Sequence, residues 1–465
     1  MRDRLCGLLL LGPPALALAA CAPAAPQLRQ QLRATQASLA PLPTDASPKE
    51  APTFGGTLSG YLAYAYANSP ALRASFETWR AATHRPDQER RLPEPTLTYA
   101  GFIRSVETRV GPQRHRFSAS QWFPWPTKLR AGSDAAVLEA QAAQRRFEGH
   151  ALHIAADVAA AYWRLWNVHR QTEVARDEVA VLESLSEQVR VRVEVGVAEL
   201  SDLAQINLML SRARDRQAGL TQHQRIGNAQ LVGVLGAPDG IATPISDLEP
   251  KVVAVAESAA ELSAAASRHP EVQSLATLSD AASERAREAR ADRAPSFGLG
   301  VDWILTGSSK ATPEPVDSGK DAVAMSLSVK VPLWSRAYQA AEQEEHARGR
   351  ALRAQALDAR NTVAAQVREQ AARIDDDVRR VRVYESTLLP QAEAAFESVL
   401  ASYASGRSTV AELLLAERAL LSLREERFTA QADYGTDLAR LERALGRPVQ
   451  LKAAVDQEDP HDDAR

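Results

Sequence analysis

Two histidines, His150 and His153 in the stretch GHALHI, are the first residues whose types and spacing could do chemistry. Three residues apart on a helix, they would share a face on which their ring nitrogens could hold a metal ion. A metal site needs a third ligand, and none is evident in the sequence nearby. The pattern therefore favours two solvated helix residues over a metal site, and we predict neither a bound metal nor a cofactor.

Three aromatic residues, Tyr162, Trp163 and Trp166, could line a ligand-binding box. Within a long packed helix, however, aromatic residues at this spacing more often belong to the packed seam. The sequence has no glycine-rich phosphate loop, no nucleophile elbow and no paired His and Asp constellation. We predict that the protein is not an enzyme, with a lipid-attached hydrolase as a weak alternative.

The start of the sequence has the pattern of a secretion signal. Arg2 and Arg4 precede a largely apolar run that ends in the tetrad LAAC. The tetrad resembles a bacterial lipobox, which implies a signal peptide over residues 1–20 and acylation of Cys21. The lipid-anchored segment, residues 21–56, is rich in Pro, Ala and Gln and is expected to be extended. By the same resemblance, Ala22 after the cysteine favours the outer membrane. The alternative is an ordinary signal peptide cleaved near an alanine.

The composition excludes several classes of protein. The chain has two cysteines, and loss of Cys6 with the signal and acylation of Cys21 would leave no thiol for disulfides, metal sites or nucleophiles. The net charge of −3, with acids and bases interspersed, argues against a nucleic-acid partner. Aromatic residues make up 5% of the chain, which favours long, thin helical packing over a thick globular core. The acidic tail, residues 450–465, is expected to be disordered.

An internal duplication organises most of the chain. Six residues recur 210 positions later in the same order, and chance matching of helical sequences does not explain repeated Gly and Pro. They are Gly196, Leu203, Leu231, Leu235, Gly236 and Pro238, which recur as Gly406, Leu413, Leu441, Leu445, Gly446 and Pro448. We therefore predict two repeats, over residues 57–245 and 246–449.

Each repeat is predicted to contain one very long helix. No proline occurs between Thr127 and Val195, and Ala175, Leu182 and Val189 fall seven residues apart, as in a left-handed coiled coil. The pattern predicts a helix of roughly 65 to 70 residues in this repeat and a similar one in the second.

Shorter helices are predicted on either side of the long ones. We expect an opening helix of roughly 22 residues from Pro70 or Pro270, and a returning helix of roughly 37 residues after Gly196 or Gly406. The two glycines would then be the turns of helical hairpins. Pro390 must kink or break the second long helix, because proline cannot donate the backbone hydrogen bond of a helix interior.

Segments with a period of two residues lie between the opening and the long helices. In DAVAMSLSVKVPLW, Val323, Met325 and Leu327 share one face while Ala324 and Ser326 share the other. One face suits lipid or a core, and the other suits water. The four predicted strands cover residues 96–103, 115–123, 297–305 and 323–331. Each has about the length of a membrane-spanning strand.

The connections between these strands also fit a membrane sheet. The polar linkers SVETRVGPQ and TGSSKATPEPVDSGK are predicted to be external hairpin loops, and tryptophans near the strand ends are typical of an aromatic girdle. Four strands cannot close a barrel, and open edges in lipid leave backbone groups unpaired, so we expect several chains to assemble. The alternative is the edge of a soluble sandwich.

These features resemble a TolC-type outer-membrane factor. The resemblance rests on the two copies of helix, strand pair and long helix, on VPLW after the second strand pair, on YASGRSTVAELLLAERALL at the helical turn and on LGRP at the helix stop. It implies a mainly α fold with a small β part, in which three chains form an α-helical barrel continued by a 12-strand transmembrane β-barrel, four strands from each chain.

The same resemblance implies a function. The protein would be a passive exit duct in the outer membrane, extending into the periplasm, for a tripartite efflux pump or a type I secretion system. Its partners would be two further copies of itself, outer-membrane lipid, a periplasmic adaptor and an inner-membrane transporter. The sequence leaves open whether a metal ion, a drug or a polypeptide is exported, because in such a system the transporter selects the cargo.

A periplasmic gate at the hairpin turns is also implied by the resemblance. Asp202 and Glu412 each stand six residues after a turn glycine, where similar proteins place acidic residues at a constriction. Tyr403 stands three residues before Gly406, where a tyrosine ties neighbouring hairpins closed. The arginine usually found two positions after that glycine is absent, because Ser408 occupies the position. The alternative is that the carboxylates only complement a helix dipole.

The main alternative function is a lipid-anchored periplasmic coiled-coil adaptor or another structural protein. An adaptor needs one helical hairpin, whereas this sequence predicts two hairpins and two amphipathic strand pairs.

Overall fold

The computed structural model describes residues 25–38, 53–238 and 240–452. Cys21, the predicted signal peptide and most of the acidic tail lie outside these ranges, and what was predicted for them stays a prediction. The described chain is mainly helical with one small sheet. None of the helices in these ranges carries an apolar stretch of membrane-spanning length.

The helices are α1 (Pro26–Ser38), α2 (Leu58–Asn68), α3 (Pro70–Ala82), α4 (Arg85–Glu89), α5 (Pro126–Glu194), α6 (Leu200–Leu235), α7 (Ala259–Ala265), α8 (Pro270–Ala291), α9 (Ser335–Val383), α10 (Leu389–Ala404) and α11 (Val410–Leu445). The strands are β1 (Thr96–Thr108), β2 (Gly111–Phe123), β3 (Ser296–Thr306) and β4 (Ala322–Lys330). A π-helical turn, Tyr384–Leu388, joins α9 to α10.

The chain divides into two compact units. The strand unit contains residues 25–34, 77–145 and 273–356, and the hairpin unit contains residues 35–38, 53–76, 146–272 and 357–452. The sheet lies in the first unit, and both helical hairpin turns lie in the second.

Helix α1 corrects the expectation that residues 21–56 are extended. The segment from Pro26 to Ser38 is helical, and Leu28 and Leu32 are buried. Leucines four residues apart share one face of a helix, so this short segment has an apolar stripe to bury. At the other end, Leu451 forms an isolated bridge with Val255, so the first residues of the predicted tail are ordered.

The sheet of the strand unit joins the two repeats. Its strands run antiparallel in the order β1-β2-β3-β4, so the hairpin of the first repeat pairs through β2 with β3 of the second. The strand predictions are therefore confirmed, and β1 and β4 are the outer strands of the described sheet.

Cross-strand rows separate the two faces of the sheet. One row carries Tyr99, Phe117, Trp303 and Val323, and the next carries Leu97, Ala119, Val301 and Met325. The opposite face carries Thr98, Ser118, Asp302 and Ala324 in one row. On that polar face Arg116 donates a 2.7 Å hydrogen bond to Asp302. The period-two pattern thus places apolar side chains on one face across all four strands.

The linker SVETRVGPQ is not the loop that its polarity predicted. Strands β1 and β2 pair through it as far as Thr108 and Gly111, which leaves a two-residue turn at Arg109 and Val110. Gly111 has a φ of 131°, a conformation that residues with a Cβ rarely adopt, and this permits the tight connection. The second linker does form a loop between β3 and β4, as predicted.

The hairpin unit is built from two helical hairpins. Helix α5, at 69 residues, returns through α6, and α10 returns through α11; both returning helices have 36 residues. A buried cluster joins all four helices near the turns, with Leu182 of α5, Ile206 of α6, Tyr403 of α10 and Leu413 of α11. The predicted long helices, their seam and their returns are confirmed.

Each repeat also packs an additional short helix that we did not expect. Tyr61 of α2 packs with α5 and α6, and Leu262 of α7 packs equivalently with α9 and α11. Thr57 caps α2, and Ser258 with Glu261 forms a capping box on α7. These Ser and Thr caps are the sequence signal that could have located both helices.

The opening helix of the first repeat is shorter than predicted. Helix α3 ends at Ala82, and the chain restarts as α4 with Pro86 in its first turn. Pro86 cannot donate to the carbonyl four residues earlier, which ends the helix. Its counterpart 200 positions later is Ala286, and α8 runs unbroken for 22 residues.

Pro390 interrupts the second long helix as predicted. The interruption is a π-helical turn in which the Leu389 N–H donates to the Tyr384 carbonyl. Widening the turn just before the proline accommodates its missing N–H and its ring.

The aromatic group on α5 belongs to the core. Trp163 and Trp166 pack edge to face with centroids 5.7 Å apart, and Trp166 packs on Phe428 at 5.9 Å. A Cβ on Gly435 of α11 would lie 2.4 Å from the Trp163 ring, so α11 approaches α5 at a position that only glycine fits. The seam interpretation of these aromatics is confirmed.

We predict that Gly435→Ala destabilises the protein while Gly219→Ala does not. Both glycines lie inside returning helices, and alanine favours each helix by about 0.5–1 kcal/mol. At Gly219 a Cβ meets nothing within 4 Å, whereas at Gly435 it clashes with Trp163, an overpacking cost of about 1–3 kcal/mol. Thermal unfolding followed by circular dichroism measures both. Equal shifts in melting temperature would contradict the close approach.

Candidate functional site

The candidate site is the pair of hairpin turns in the hairpin unit. Gly196 and Gly406 have φ values of 73° and 71°, and each lies in open space. The Val197 N–H donates to the Arg192 carbonyl, and the Arg407 N–H donates to the Ser402 carbonyl. These bonds are those of a Schellman motif, which ends a helix at a left-handed residue. Both glycines are therefore the turns that the sequence predicted.

The two turns start their returning helices differently. In the second, the Thr409 hydroxyl accepts from the Glu412 N–H at 3.2 Å, and the Glu412 carboxylate accepts from the Thr409 N–H at 2.9 Å. The equivalent residue of the first turn, Glu199, makes no side-chain cap. The duplicated turns thus keep the same backbone, but only one keeps a capping box.

Glu412 is engaged in this capping box. Its carboxylate also accepts a hydrogen bond from the Ser408 hydroxyl. The Ser408 hydroxyl and the Thr409 N–H hold the pKa of Glu412 below its usual range, so the side chain stays ionised. Asp202 occupies the matching place in the first turn of α6, and among the described residues no side chain bonds to its carboxylate. The two predicted gate carboxylates are therefore unequal in their freedom to bind something else.

Tyr403 lies inside the cluster that joins the two hairpins. It is 7% exposed, and its hydroxyl has no hydrogen-bond partner among the described residues. The Arg192 guanidinium lies over the ring, 4.9 Å from its centroid, and donates to the Ala404 carbonyl. A cation over an aromatic face is attracted by the ring. The tyrosine therefore ties the two hairpins of one chain together.

Arg192 was missed by the sequence analysis. A basic residue in the last turn of a helix ordinarily complements the dipole, so its position gave no sign of a contact with the other hairpin. The shifted arginine, Arg407, donates to Ser405 at 3.1 Å within its own turn.

The histidines singled out by their spacing, His150 and His153, both lie on α5 and are exposed. Partial loss of solvent around the His153 ring is the main cause that lowers its pKa, and Arg443 nearby lowers the pKa further. Within the described ranges, the group with metal-ligand spacing is instead His169, Glu173 and Asp247. Arg170 already donates to Glu173 at 2.8 Å, and Asp247 is exposed on a loop. This group is a loose surface cluster in which Arg170 competes with any ion.

Buried carboxylates in the hairpin unit form a feature that the sequence did not predict. Asp377 of α9 is 5% exposed, and burial, with Asp437 and Asp433 of α11 nearby, raises its pKa to about 7. Arg380 lies 3.7 Å from Asp377 and 3.6 Å from Asp433. In the sequence, Asp377 belongs to the run IDDD, which is typical of a solvated face. Only the packing of α11 against α9 makes it an interior group.

Comparison with known proteins identifies relatives over most of the chain. The family model described as outer membrane efflux protein matches residues 62–237 and 262–447. The alkaline protease secretion protein AprF of Pseudomonas aeruginosa is 26% identical over 314 residues, which is 66% of this chain and 64% of AprF. The chain therefore spans slightly less than two thirds of this curated relative.

Two solved structures have the same fold. A membrane protein from Pseudomonas aeruginosa superposes with a TM-score of 0.70 at 17% identity, covering 87% of this chain and 98% of that one. The outer membrane protein VceC from Vibrio cholerae superposes with a TM-score of 0.67 at 18% identity, covering 84% and 96%.

We predict that Asp377→Asn changes the pH dependence of stability. Because the folded pKa of Asp377 lies above its unfolded value, the stability it contributes is present below about pH 4 and is lost as pH rises through about 7. Asparagine removes this loss. The melting temperature of the variant minus that of the parent should therefore rise between pH 4 and 7 by a few degrees, about 2–4 °C per kcal/mol, and then level off.

Asp376→Asn is the matched control, since Asp376 is exposed and paired with Arg379. A difference curve for Asp377→Asn that is flat with pH, or equal to that of the control, would show that Asp377 is ionised in the folded protein at all these pH values.

Proposed function

Because this chain belongs to the outer membrane efflux protein family, we propose that it is the outer-membrane exit duct of a tripartite efflux or type I secretion system. The observation that carries the proposal is the sheet, which exposes one continuous apolar face. On that face the side chain of Met325 is 85% exposed and that of Leu97 is 80% exposed. An exposed apolar patch that crosses four strands requires an apolar environment, and the hydrocarbon of a membrane provides one.

The sheet also supports a trimer. The outer strands β1 and β4 have no further strand partner among the described residues, and unpaired backbone groups in lipid cost several kcal/mol each. Three copies would pair β1 of one chain with β4 of the next and close a 12-strand barrel with a lumen. The polar face, with Arg116 and Asp302, would line that lumen.

The helical hairpins would continue the duct into the periplasm. In this proposal the turns at Gly196 and Gly406 form its periplasmic mouth, where threefold symmetry brings three copies of Asp202 and of Glu412 around one axis. The tie between hairpins of neighbouring chains, implied for Tyr403, stays a prediction, because its buried hydroxyl would first have to leave the cluster.

The remaining parts of the proposal concern the partners and the membrane anchor. A periplasmic adaptor and an inner-membrane transporter would dock the duct and supply energy and cargo selection, so the duct itself catalyses no reaction. The name of AprF, a protease secretion protein, favours a polypeptide cargo for that relative. We propose that acylated Cys21 attaches the chain to the outer membrane.

We predict that Leu327→Arg and Ser328→Arg have opposite consequences. Leu327 pairs with Leu299 on the apolar face, and Ser328 pairs with Gly298 on the polar face. An arginine facing hydrocarbon near the midplane costs about 2–4 kcal/mol, so Leu327→Arg should lose assembled protein. Ser328→Arg should assemble normally and change conductance. Outer-membrane fractionation and planar-bilayer recordings measure the two, and equal tolerance of both arginines would refute a lipid-facing sheet.

The acidic turns predict a cation-selective mouth. Asp202→Asn and Glu412→Gln should each lower the cation preference in planar-bilayer recordings under a salt gradient, and the double variant should lower it most, because rings of acidic side chains favour cations. A third variant, Glu412→Ala, should in addition speed amide hydrogen exchange at the start of α11, because alanine has no side-chain acceptor for the Thr409 N–H, whereas glutamine keeps one. A double variant with the reversal potential of the parent would mean that these acids only start helices.

A further inference from the structure

A groove in the hairpin unit is not explained by the proposed duct. It lies between α5, α6 and α11 and has a volume of about 610 Å³. Its apolar walls are formed by Leu182, Leu208, Met209, Leu414, Leu415 and Leu421. A volume of this size is in the range of sites that hold small organic molecules.

One carboxylate in the groove differs from the others in its contacts with the described residues. Glu417 of α11 lines the groove and is 7% exposed, and among the described residues no hydrogen-bond donor or basic group contacts it. The other two acids there are already paired, because Arg216 lies 3.6 Å from Glu178 and contacts Glu425. Of the three acids that line the groove, Glu417 is therefore the one whose carboxylate forms no ion pair with a described residue.

Leaving that carboxylate unpaired is unfavourable. Burial is the main cause that raises the pKa of Glu417 to about 7, and the negative charge of Glu178 adds to it. A buried carboxylate is stabilised by a cation that brings its own hydrogen-bond donor or fixed positive charge. The two remaining basic groups of the groove, Arg212 and Arg418, are exposed at its rim and do not pair with Glu417.

We propose that this groove binds amphiphilic organic cations, with the positive charge at Glu417 and the apolar body against the leucine and methionine walls. A protonated amine or quaternary ammonium on an aromatic or alkyl body satisfies both the charge and the walls. An anion would be repelled by the Glu417 carboxylate. A small inorganic cation would make no contact with the apolar walls. The site goes beyond the role of a duct, because a passive conduit needs no ligand-binding groove in its helices.

The test is binding of rhodamine 6G, a lipophilic fluorescent cation, to the purified full-length protein in amphipol. Fluorescence anisotropy should show saturable binding, and Glu417→Gln, which keeps the shape and removes the charge, should weaken it about 10-fold or more. Ser422→Trp, which fills the groove from its exposed edge and leaves Glu417 in place, should weaken it as well. Glu397→Gln on the exposed face of α10 is the matched control and should bind like the parent.

The pH dependence and an anionic probe provide two further checks. Affinity of the parent should fall as pH is lowered from 8 to 6 and Glu417 takes up a proton, whereas Glu417→Gln should lose most of this dependence. The charged groups that face Glu417 are Glu178 of α5, Arg212 and Arg216 of α6, and Arg418 and Glu425 of α11. The anionic dye 8-anilinonaphthalene-1-sulfonate should not distinguish the parent from Glu417→Gln.

Two results would overturn the proposal. Equal affinity of the parent and Glu417→Gln for rhodamine 6G would show that the dye binds elsewhere. Absence of binding in the parent, together with loss of oligomers in Glu417→Gln, would show that a second copy of the chain occupies the groove. Neither result would alter the evidence for the exit duct, which is tested by the sheet variants.

Discussion

The sheet of the strand unit sets the constraint on which the proposed assembly depends. Its four strands expose an apolar face, and within the described part of the chain the outer edges of β1 and β4 have no strand partner. The apolar face is compatible with lipid, but open edges in lipid are not, because each unpaired N–H or C=O costs several kcal/mol there. Pairing of β1 with β4 of another copy would satisfy both demands, and this is the physical reason for the assembly that we propose.

The helical hairpins meet a different constraint. The chain must reverse direction at the end of a very long helix while the end of that helix stays hydrogen-bonded and packed. A left-handed glycine ends each long helix, and a buried cluster joins the four helices directly behind the turns. Tyr403 under Arg192 belongs to this cluster. The second turn adds a capping box and the first does not, so the duplicated hairpins differ in how firmly the returning helix begins. That difference makes Asp202 the less constrained of the two acids that follow the turns.

Most of the fold could be predicted because the chain repeats simple local signals. The heptad spacing of Ala175, Leu182 and Val189 located the long helix, and the alternation around Met325 located the strands. Wrong expectations arose where a short local feature decided the structure. Pro86 ended the opening helix of one repeat but not of the other, and pairing beyond Gly101 turned a polar linker into strand.

The candidate site was only partly predictable from the sequence. The turn glycines and the acids after them are local features, so spacing was sufficient to find them. The buried Glu417 and Asp377 were missed because a charged side chain on a helix ordinarily faces solvent, as their exposed neighbours Arg418 and Asp376 do. Their burial depends on helices that are far away in the chain, α5 and α6 for Glu417 and α11 for Asp377. Whether a charged side chain is buried can be judged only from its neighbours in space, and the sequence alone does not give these.

The most direct test of the central claim is the mass of the native particle. Native mass spectrometry of the protein extracted from outer membranes with mild detergent should give three copies of the chain, because three copies of a four-stranded sheet close the open edges and enclose a lumen. Release of a monomer by salt alone, without detergent, would contradict both the lipid-facing sheet and the duct.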